Sequence, residues 1–246
     1  MTSPVTAAAR LARLAREALV AAGAVVVPVA CAGCGREDTP LCAECRDRCV
    51  GSVRLEHIDG LPVRFALDYS DEVARVVVAF KNDGRTGLAR VLAEPFGRSI
   101  DDAVGALATH GTTVDDRVLV VPIPSRRASM RRRGYRPVAL LARRAGVPLD
   151  ARLRFARQPL DQLRLGRRER GENLRAAMVA DPLLDGRRVL IVDDVLTSGA
   201  TVREAARAID AVGGTVVGAA VLARTPSGRR SRRRERDLLG GPSESP

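Results

Sequence analysis

The feature that most constrains this fold is a run of four large aliphatic residues that ends in two aspartates. The segment reads Val189-Leu-Ile-Val-Asp193-Asp194-Val-Leu-Thr197-Ser-Gly-Ala-Thr201. An unbroken apolar run of this kind is typical of a parallel strand that is buried on both faces of its sheet. Because ligands of open parallel sheets bind beyond the carboxyl ends of the strands, we expect the two acids and the following loop to line a ligand crevice.

The loop at 197–201 has the chemistry of a phosphate site. It places successive backbone N–H groups at the start of a predicted helix, adds three hydroxyls and contains Gly199, which permits close approach. Asp193 and Asp194 would repel a bare phosphate chain, but they accept hydrogen bonds from sugar hydroxyls and suit a neighbouring Mg²⁺. The predicted ligand is therefore a ribose that carries phosphate. The simpler alternative is an acid pair that only caps a helix.

Two other classes of protein with related features are excluded. The chain has no P-loop motif of the form GxxxxGK followed by Ser or Thr, which excludes a P-loop nucleotidase. Receiver domains also have paired acids after a strand, but they need a later lysine, and the only lysine, Lys81, lies upstream.

Helix-like and strand-like segments alternate along the rest of the chain. The predicted helices cover 70–82 (capped by Ser70), 88–108 with an interruption near Pro95, 138–145 and 201–212, and the predicted strands cover 118–124, 153–156, 189–192 and 215–222. We expect 118–124 to be buried on both faces and 215–222 to close the sheet. This alternation predicts an α/β fold with parallel strands joined by right-handed crossovers.

All five cysteines lie between positions 31 and 49, and four of them form two CxxC pairs. Cys31 with Cys34 and Cys42 with Cys45 suit a closed tetrahedral zinc site. Since four thiolates leave no open metal position, the zinc is predicted to be structural. Cys49 is a spare thiol or a substitute for Cys45. The alternative to zinc is a pair of disulfides, which a reducing compartment disfavours.

Composition restricts both the core and the partners. Apolar residues make up 46% of the 246 residues and aromatic residues only 2%, so the core is aliphatic and base stacking on aromatic side chains is disfavoured. The net charge of +12 favours anionic partners, and Lys81 is the only lysine among 41 basic residues. Its retention predicts that Lys81 contacts a pyrophosphate or closes the site, with chance retention as the alternative.

The two ends of the chain have patterns of their own. Residues 6–22 have the spacing of an amphipathic helix, and the apolar run at 18–30 resembles an export leader. Glu17 and Pro28 interrupt that pattern and the run is too short to span a bilayer, so we predict a cytoplasmic protein. Residues 227–246 are rich in Arg, Gly, Pro and Ser and predict a disordered tail, or alternatively one that contacts nucleic acid.

Segment 189–201 resembles the signature with which type I phosphoribosyltransferases bind 5-phosphoribosyl 1-pyrophosphate (PRPP). Together with the cysteine pairs, it makes the chain similar to the ComF/GntX family of competence-associated phosphoribosyltransferases. Four further stretches agree with that family, at 80–85, 121–126, 133–135 and 162–173. The chain departs from the family at Arg136-Pro137, where Asn-Gln is usual.

This resemblance implies a type I phosphoribosyltransferase fold, a parallel-sheet core flanked by helices, with a small zinc-ribbon-like module built on the four paired cysteines. The implied domains are 1–55 (helix and zinc module), 56–226 (phosphoribosyltransferase) and 227–246 (tail). Asp193 and Asp194 would hold the ribose hydroxyls of PRPP, which binds with Mg²⁺, and the 5′-phosphate would bind Thr197, Ser198, Gly199, Ala200 and Thr201. A mobile lid at 158–174 would cover the site, unless its arginines form only a solvated helix face. Candidates for the pyrophosphate and the lid are Lys81, Ser125, Arg126, Arg133, Gln162, Arg170 and Asn173.

Three functions compete at this point. The first is an enzyme that transfers a phosphoribosyl group from Mg²⁺-bound PRPP to an unidentified, nitrogenous acceptor. The second is a non-catalytic module that senses PRPP or a nucleotide and assists the uptake of single-stranded DNA with a competence helicase, through basic clusters at 126–136 and 229–236. The third is a structural adaptor with a vestigial pocket, against which the complete segment 189–201 argues. Related folds often dimerise, which suggests a homodimer by analogy alone.

Overall fold

A computed structural model describes residues 29–108, 118–156 and 176–226. Within these ranges the chain forms a five-stranded mixed sheet with helices on both faces and a separate two-stranded sheet. The predicted helix at 6–22, the predicted lid at 158–174 and the predicted tail at 227–246 lie outside the described residues. None of the described helices is both long and apolar enough to cross a membrane.

The strands fall into one parallel core and two antiparallel pairs. In chain order they are β1 (Arg54–Ile58), β2 (Leu61–Asp68), β3 (Leu119–Pro122), β4 (Leu153–Phe155), β5 (Met178–Ala180), β6 (Arg188–Leu196) and β7 (Thr215–Arg224). The main sheet has the order β1-β2-β7-β6-β3, in which β2, β7, β6 and β3 are parallel and β1 forms a hairpin with β2. β4 pairs with β5 outside this sheet. Parallel strands linked through helices confirm the predicted α/β class.

Four of the described helices lie close to the predicted ranges, and the two short ones at 43–48 and 127–133 have no predicted counterpart. In chain order they are α1 (Ala43–Arg48), α2 (Asp71–Asn82), α3 (Ala89–Ala108), α4 (Arg127–Arg133), α5 (Pro137–Arg144) and α6 (Ala200–Asp210), with 3₁₀ turns at Thr86–Leu88 and Pro182–Leu184. Ser70 takes the predicted N-cap position of α2 in extended backbone, but its side chain makes no capping hydrogen bond within the described chain.

The predicted interruption near Pro95 is wrong. α3 runs through Pro95 as one helix of 20 residues. Leu92, Phe96 and Ile100 on its inner face are almost completely buried, and we attribute the unbroken helix to this packing, which outweighs the hydrogen bond that proline removes. The carbonyl oxygen of Pro95 also accepts a hydrogen bond from Ser99 Oγ at 3.1 Å.

Two predictions about the sheet are also wrong. β3 lies at an edge, so within the strand only Val121 is fully buried, while Leu119 and Val120 are half-buried. β7 lies in the middle of the sheet and does not close it. The reason is the β1–β2 hairpin, absent from the predicted elements, which continues the sheet beyond β7.

The core has two layers, one on each face of the sheet. Along β6, Leu190 and Val192 face the layer that contains α2, α3 and α5, whereas Val189 and Ile191 face the layer that contains α6. All four side chains have no exposed surface, which confirms that 189–192 is buried on both faces. Because this strand is packed on both faces, the two aspartates and the loop at 197–201 start from a fixed position.

The cysteine segment (31–49) packs against α2. Cys45 and Cys49 are buried in the same apolar cluster as Val76. Arg75 of α2 donates a hydrogen bond to the carbonyl oxygen of Gly33, and Arg85, just beyond the helix, donates to the carbonyl oxygen of Pro40 at 2.8 Å. α2 is thus the element that joins the cysteine segment to the parallel sheet.

Candidate phosphoribosyl site and cysteine cluster

The two aspartates lie inside β6 and not after it, because the strand continues to Leu196. Asp193 stays paired with Val221 of β7, and its Oδ1 accepts the backbone N–H of Asp194 at 2.8 Å. Asp194 is only 8% exposed. The sheet therefore fixes both acids through its own hydrogen bonds, a few residues before the loop at 197–201.

Lys81, in the last turn of α2, pairs with Asp194. Its Nζ lies 2.8 Å from Asp194 Oδ1, and the two side chains are 23% and 11% exposed. Burial opposes the charge of Lys81, but the carboxylates of Asp194 and Asp193 outweigh it and raise its pKa above the ordinary value. The only lysine of the chain therefore stays protonated and neutralises part of the acid pair.

Asp193 shows the reverse balance of forces. Its burial and the neighbouring Asp194 carboxylate raise its pKa to about 7, although the Lys81 ammonium acts in the opposite direction. The acid pair therefore changes its charge close to neutral pH. A ligand that supplies hydrogen-bond donors or cations would favour the ionised form.

The turn at 133–135 is fastened to the end of the same helix. Arg133 Nη2 donates to Asn82 Oδ1 at 2.9 Å, and the Tyr135 hydroxyl donates to the carbonyl oxygen of Phe80. The Phe80 and Tyr135 rings lie 5.9 Å apart at 56°. Arg133 Nε is buried without an acceptor in the described part of the chain. The structure thus brings this motif next to Lys81.

Ser125 and Arg126 follow β3, which is hydrogen-bonded to β6. Pro122 pairs with Val192, and the Ile123 N–H donates to the carbonyl oxygen of Val192 at 3.0 Å. Both candidate residues are half-buried, and Arg126 is the N-cap of α4. Ser125 and Arg126 therefore lie at the carboxyl ends of the parallel strands, at the same end of the sheet as the two aspartates.

The phosphate loop (197–201) passes from β6 into α6, which begins at Ala200. Gly199 has φ +76°, and a Cβ on it would lie 2.8 Å from Ile58 Cδ1, so no other residue fits without strain. Thr197 is exposed, and Ser198 Oγ accepts the N–H of Ala200 at 3.4 Å. The first N–H groups of α6 have no acceptor within the helix, which makes this loop suitable for an anion.

Three residues that fix the phosphate loop were not among the sequence-based candidates. Arg224 Nη1 donates to the carbonyl oxygen of Thr197 at 3.2 Å, and Arg203 Nη2 donates to that of Ser198 at 2.9 Å. Glu56 binds Arg224 across 168 positions of sequence. No local pattern predicts such pairs. Gln162, Arg170 and Asn173 lie outside the described residues, so their roles stay predictions.

The four cysteines of the two CxxC pairs form one cluster. The sulfur atoms of Cys31, Cys34, Cys42 and Cys45 all lie within 4.8 Å of one another, and those of Cys34 and Cys42 are 3.7 Å apart. Tetrahedral zinc with bonds of about 2.3 Å needs sulfur atoms just under about 4 Å apart, so the cluster can hold such an ion. Cys49 is a fully buried core residue beside the cluster, and burial and Cys31 raise its pKa to about 11.

Local backbone favours a thiolate in this cluster. Burial opposes ionisation of Cys31, but backbone N–H groups, among them that of Cys42 at 3.4 Å, lower its pKa to about 6. Gly33 leaves room for the metal ligands, since a Cβ there would lie 2.5 Å from Cys45 Sγ. All five cysteines are free thiols, which is the state that metal binding requires.

A parallel sheet with an acid pair on its buried strand and a glycine-containing loop before a helix is consistent with the phosphoribosyltransferase class, and the comparisons with known proteins show that class. The family model described as "Phosphoribosyl transferase domain" matches residues 128–237. The "DNA utilization protein YhgH" of Salmonella typhi is 31% identical over 163 residues, 64% of this chain and 70% of that protein. At this identity and coverage, the chain belongs to the ComF/GntX family, which confirms the resemblance and the fold it implied.

Two further proteins are similar to parts of the chain. The "Orotate phosphoribosyltransferase" of Xylella fastidiosa (strain M12) is 39% identical over 79 residues, 31% of this chain and 36% of that protein. A crystal structure of adenine phosphoribosyltransferase is 12% identical, and the match covers 80% of this chain and 96% of that chain with a TM-score of 0.37.

Proposed function

We propose that this protein binds PRPP with Mg²⁺ and transfers its phosphoribosyl group to a nitrogenous acceptor. The observation that carries the proposal is the placement of Lys81, Asp193 and Asp194 on a rigid strand and helix beside the phosphate loop. Class membership supports PRPP as the substrate. The free thiols of the cysteine segment favour a reducing compartment, so the proposal includes a cytoplasmic location.

The phosphate loop would hold the 5′-phosphate. Its backbone N–H groups and the hydroxyls of Thr197, Ser198 and Thr201 are suitable donors, and each charge-assisted hydrogen bond contributes about 1.5–3 kcal/mol. Asp193 and Asp194 would accept hydrogen bonds from the ribose hydroxyls. The Lys81 ammonium, 2.8 Å from Asp194, offsets the repulsion that two carboxylates would exert on a phosphorylated ligand.

The pyrophosphate would face the second group of candidates. Lys81 and Arg133 lie at the end of α2 and at the turn fastened to it, and Ser125 and Arg126 follow the neighbouring strand β3. These donors would bind negative charge that grows on the leaving group. Gln162, Arg170 and Asn173 would complete this group from the segment outside the described residues.

The reaction is a displacement at ribose C1. The bond from C1 to the pyrophosphate oxygen breaks, the bond from the acceptor nitrogen to C1 forms, and the acceptor's proton goes to solvent. Mg²⁺ bound to PRPP would neutralise charge on the departing pyrophosphate. The carboxylates of Asp193 and Asp194 suit the positive charge that develops on the ribose ring, and no strong base is needed if the acceptor is nucleophilic.

Calorimetric titration with PRPP and Mg²⁺ tests the binding step. We expect the wild-type protein to bind, and Asp193→Asn and Asp194→Asn to weaken binding at least about tenfold, because each removes one charged acceptor. Asp102→Asn, at an exposed acid of α3, is the matched control and should bind normally. A flat titration of the wild-type protein, or equal binding by all three variants, contradicts the proposal.

Pyrophosphate release from PRPP across a panel of nucleobases tests the transfer step. Release with at least one base identifies the acceptor class. Binding without release for any base would favour the second candidate function.

That second function is a non-catalytic module that binds PRPP and single-stranded DNA. It is favoured by α4, on which Arg131 and Arg132 are exposed, with Arg136 exposed just beyond it. It is also consistent with the name of the Salmonella relative. Binding of labelled single-stranded DNA that falls steeply with salt, and that Arg131→Glu with Arg132→Glu abolishes, would support it. Partnership with a competence helicase belongs to this second proposal.

A further inference from the structure

Arg224, the last residue of β7, lies between the β1–β2 hairpin and the phosphate loop. On one side its Nε and Nη2 form a two-pronged ion pair with Glu56 of β1, at 2.5 and 2.7 Å. On the other side its Nη1 donates to the carbonyl oxygen of Thr197 at 3.2 Å and also to that of Thr225. One guanidinium therefore joins three separate stretches of chain.

The geometry leaves Arg224 little freedom. Its side chain is 12% exposed, and that of Glu56 is 34% exposed. A two-pronged pair of this kind fixes the plane of the guanidinium as well as its position. Because Nε and Nη2 are bound by the carboxylate, Nη1 is directed at the loop carbonyl. Lysine has the same charge but a single nitrogen, so it cannot keep the two-pronged pair with Glu56 and the bond to the Thr197 carbonyl in this geometry.

The fixed carbonyl determines where the loop N–H groups point. A trans peptide group places its C=O and its N–H on opposite sides. With the Thr197 carbonyl held by Arg224 and the Ser198 carbonyl held by Arg203 at 2.9 Å, the N–H of Ser198 points away from Arg224 and the N–H of Gly199 points away from Arg203. The loop is therefore arranged for an anion before any ligand arrives, which lowers the cost of binding.

We infer that Arg224, oriented by Glu56, is a positioning residue that holds the phosphate loop in its anion-binding conformation. This inference rests on the proposed function, because the anion is the 5′-phosphate of PRPP. Arg224 acts through the Thr197 carbonyl and does not touch the ligand. The effect of its replacement should therefore be confined to ligands that carry a 5′-phosphate.

A purely structural pair would behave differently. If Glu56 and Arg224 only fastened the hairpin to the sheet, their loss would lower thermal stability and weaken all ligands alike. Arg64 of β2 provides the control, because its side chain is also 12% exposed and its Nε lies 2.5 Å from Asp102 of α3. Arg64→Lys makes the same substitution at an equally exposed arginine, whose partner Asp102 is 55% exposed against 34% for Glu56 and belongs to α3, away from the phosphate loop.

The experiment is calorimetric titration of the full-length protein and of Arg224→Lys, Glu56→Gln and Arg64→Lys with PRPP, ribose 5-phosphate and pyrophosphate. We expect Arg224→Lys to bind PRPP and ribose 5-phosphate about tenfold more weakly and pyrophosphate unchanged. Glu56→Gln should give the same pattern with a smaller, roughly threefold effect, and Arg64→Lys should give none. Equal affinities in Arg224→Lys and Arg64→Lys, or an equal loss for all three ligands, would overturn the inference.

Amide hydrogen exchange at 197–201 separates this inference from the proposed function. If the wild-type protein does not bind PRPP, the proposed function fails, but the loop can still be examined. Faster exchange of the Ala200 amide, which donates to Ser198 Oγ at 3.4 Å, in Arg224→Lys than in Arg64→Lys supports the positioning role. Equal exchange in the two variants refutes it, whatever the outcome with PRPP.

Discussion

The cysteine segment and the phosphate loop are stabilised by the same kinds of contact, although the ligands expected to bind them have opposite charge. Each contains a glycine with no room for a side chain, Gly33 against Cys45 and Gly199 against Ile58. In each, arginines from the folded domain donate to loop carbonyl oxygens, Arg75 at Gly33 and Arg203 at Ser198. The two regions differ in the groups that face the ligand: four cysteine sulfurs that can hold a cation in the cysteine segment, and N–H groups that suit an anion in the phosphate loop.

This difference shows what an arginine-rich chain gains from its composition. Arg75 and Arg203 bind backbone carbonyl oxygens of these two regions. The charge of the ligand that each region favours therefore depends on its cysteine sulfurs or its N–H groups. It also predicts unequal dependence on the ligand. The phosphate loop is held by hydrogen bonds and ion pairs within the sheet, whereas we expect the cysteine segment to depend on a metal ion held by its four cysteines.

Metal removal should have the largest effect. Structural zinc contributes about 10–16 kcal/mol to the folding of small zinc-binding peptides, so chelation or Cys45→Ser should unfold the cysteine segment and lower the melting temperature. Metal content by atomic emission and thermal unfolding measure this. Cys49→Ala is the control, because Cys49 is buried beside the cluster and is not part of it. An unchanged melting temperature after complete metal loss would contradict the expected dependence of the cysteine segment on metal.

Gly199→Ala should have the next largest effect, and on the other loop only. The new Cβ would meet Ile58 at 2.8 Å with φ at +76°, so we expect a loss of about 1–3 kcal/mol in stability and at least about tenfold weaker PRPP binding. Gly146→Ala is the matched control, since Gly146 has φ +73° with open space around it. Normal metal content together with reduced PRPP affinity in Gly199→Ala would show that the change affects the phosphate loop alone. A PRPP affinity equal to that of Gly146→Ala would contradict this expectation.

Exchanging single arginines should give a smaller, crossed pattern. Arg203→Lys removes a hydrogen bond to the phosphate loop and should weaken PRPP binding about three- to tenfold without changing metal affinity. Arg75→Lys removes the hydrogen bond to the Gly33 carbonyl oxygen. It should weaken metal retention against a competing chelator and leave PRPP affinity unchanged. Titration of both variants with both ligands measures the pattern. Equal effects of either variant on both ligands would show that the two loops are not independent.

The two regions should also respond oppositely to pH, which is the smallest effect. The raised pKa of Asp193, about 7, means that the folded state binds a proton more tightly than the unfolded state does. That stability is present at acidic pH and is lost as pH rises through about 7, whereas metal held by thiolates is lost on acidification. In metal-loaded protein without Mg²⁺, Asp193→Asn should raise the melting temperature more at about pH 8 than at about pH 5. The same gain at both values would refute the assignment.

The sequence predicted what lies close together along the chain. Four features each occupy fewer than about twenty consecutive positions: the strand at 189–192, the acid pair, the phosphate loop and the cysteine cluster. Local sequence was therefore enough to predict where they lie. The Lys81–Asp194 pair joins residues 113 positions apart and was not predicted. The retention of a single lysine predicted only that Lys81 contacts a pyrophosphate or closes the site.

Strand order and the supports of the loop could not be predicted in the same way. Nothing local in 215–222 distinguishes an edge strand from the central β7, and the half-exposed β1 has little periodic pattern. Pro95 predicted a break that packing of Phe96 and its neighbours overrides. The Glu56–Arg224 pair, which orients the phosphate loop, depends on three stretches of chain that only the folded sheet brings together.

α2 bears Arg75 and Val76 against the cysteine segment and, five residues beyond Val76, Lys81 against Asp194. A chain shortened to begin after the cysteines would leave the apolar flank of this helix open to water. Shortening the protein to its phosphoribosyltransferase domain would therefore disturb the helix that carries the Lys81 ammonium group. A shortened fragment that fails to bind PRPP would not show that the intact protein fails to bind it.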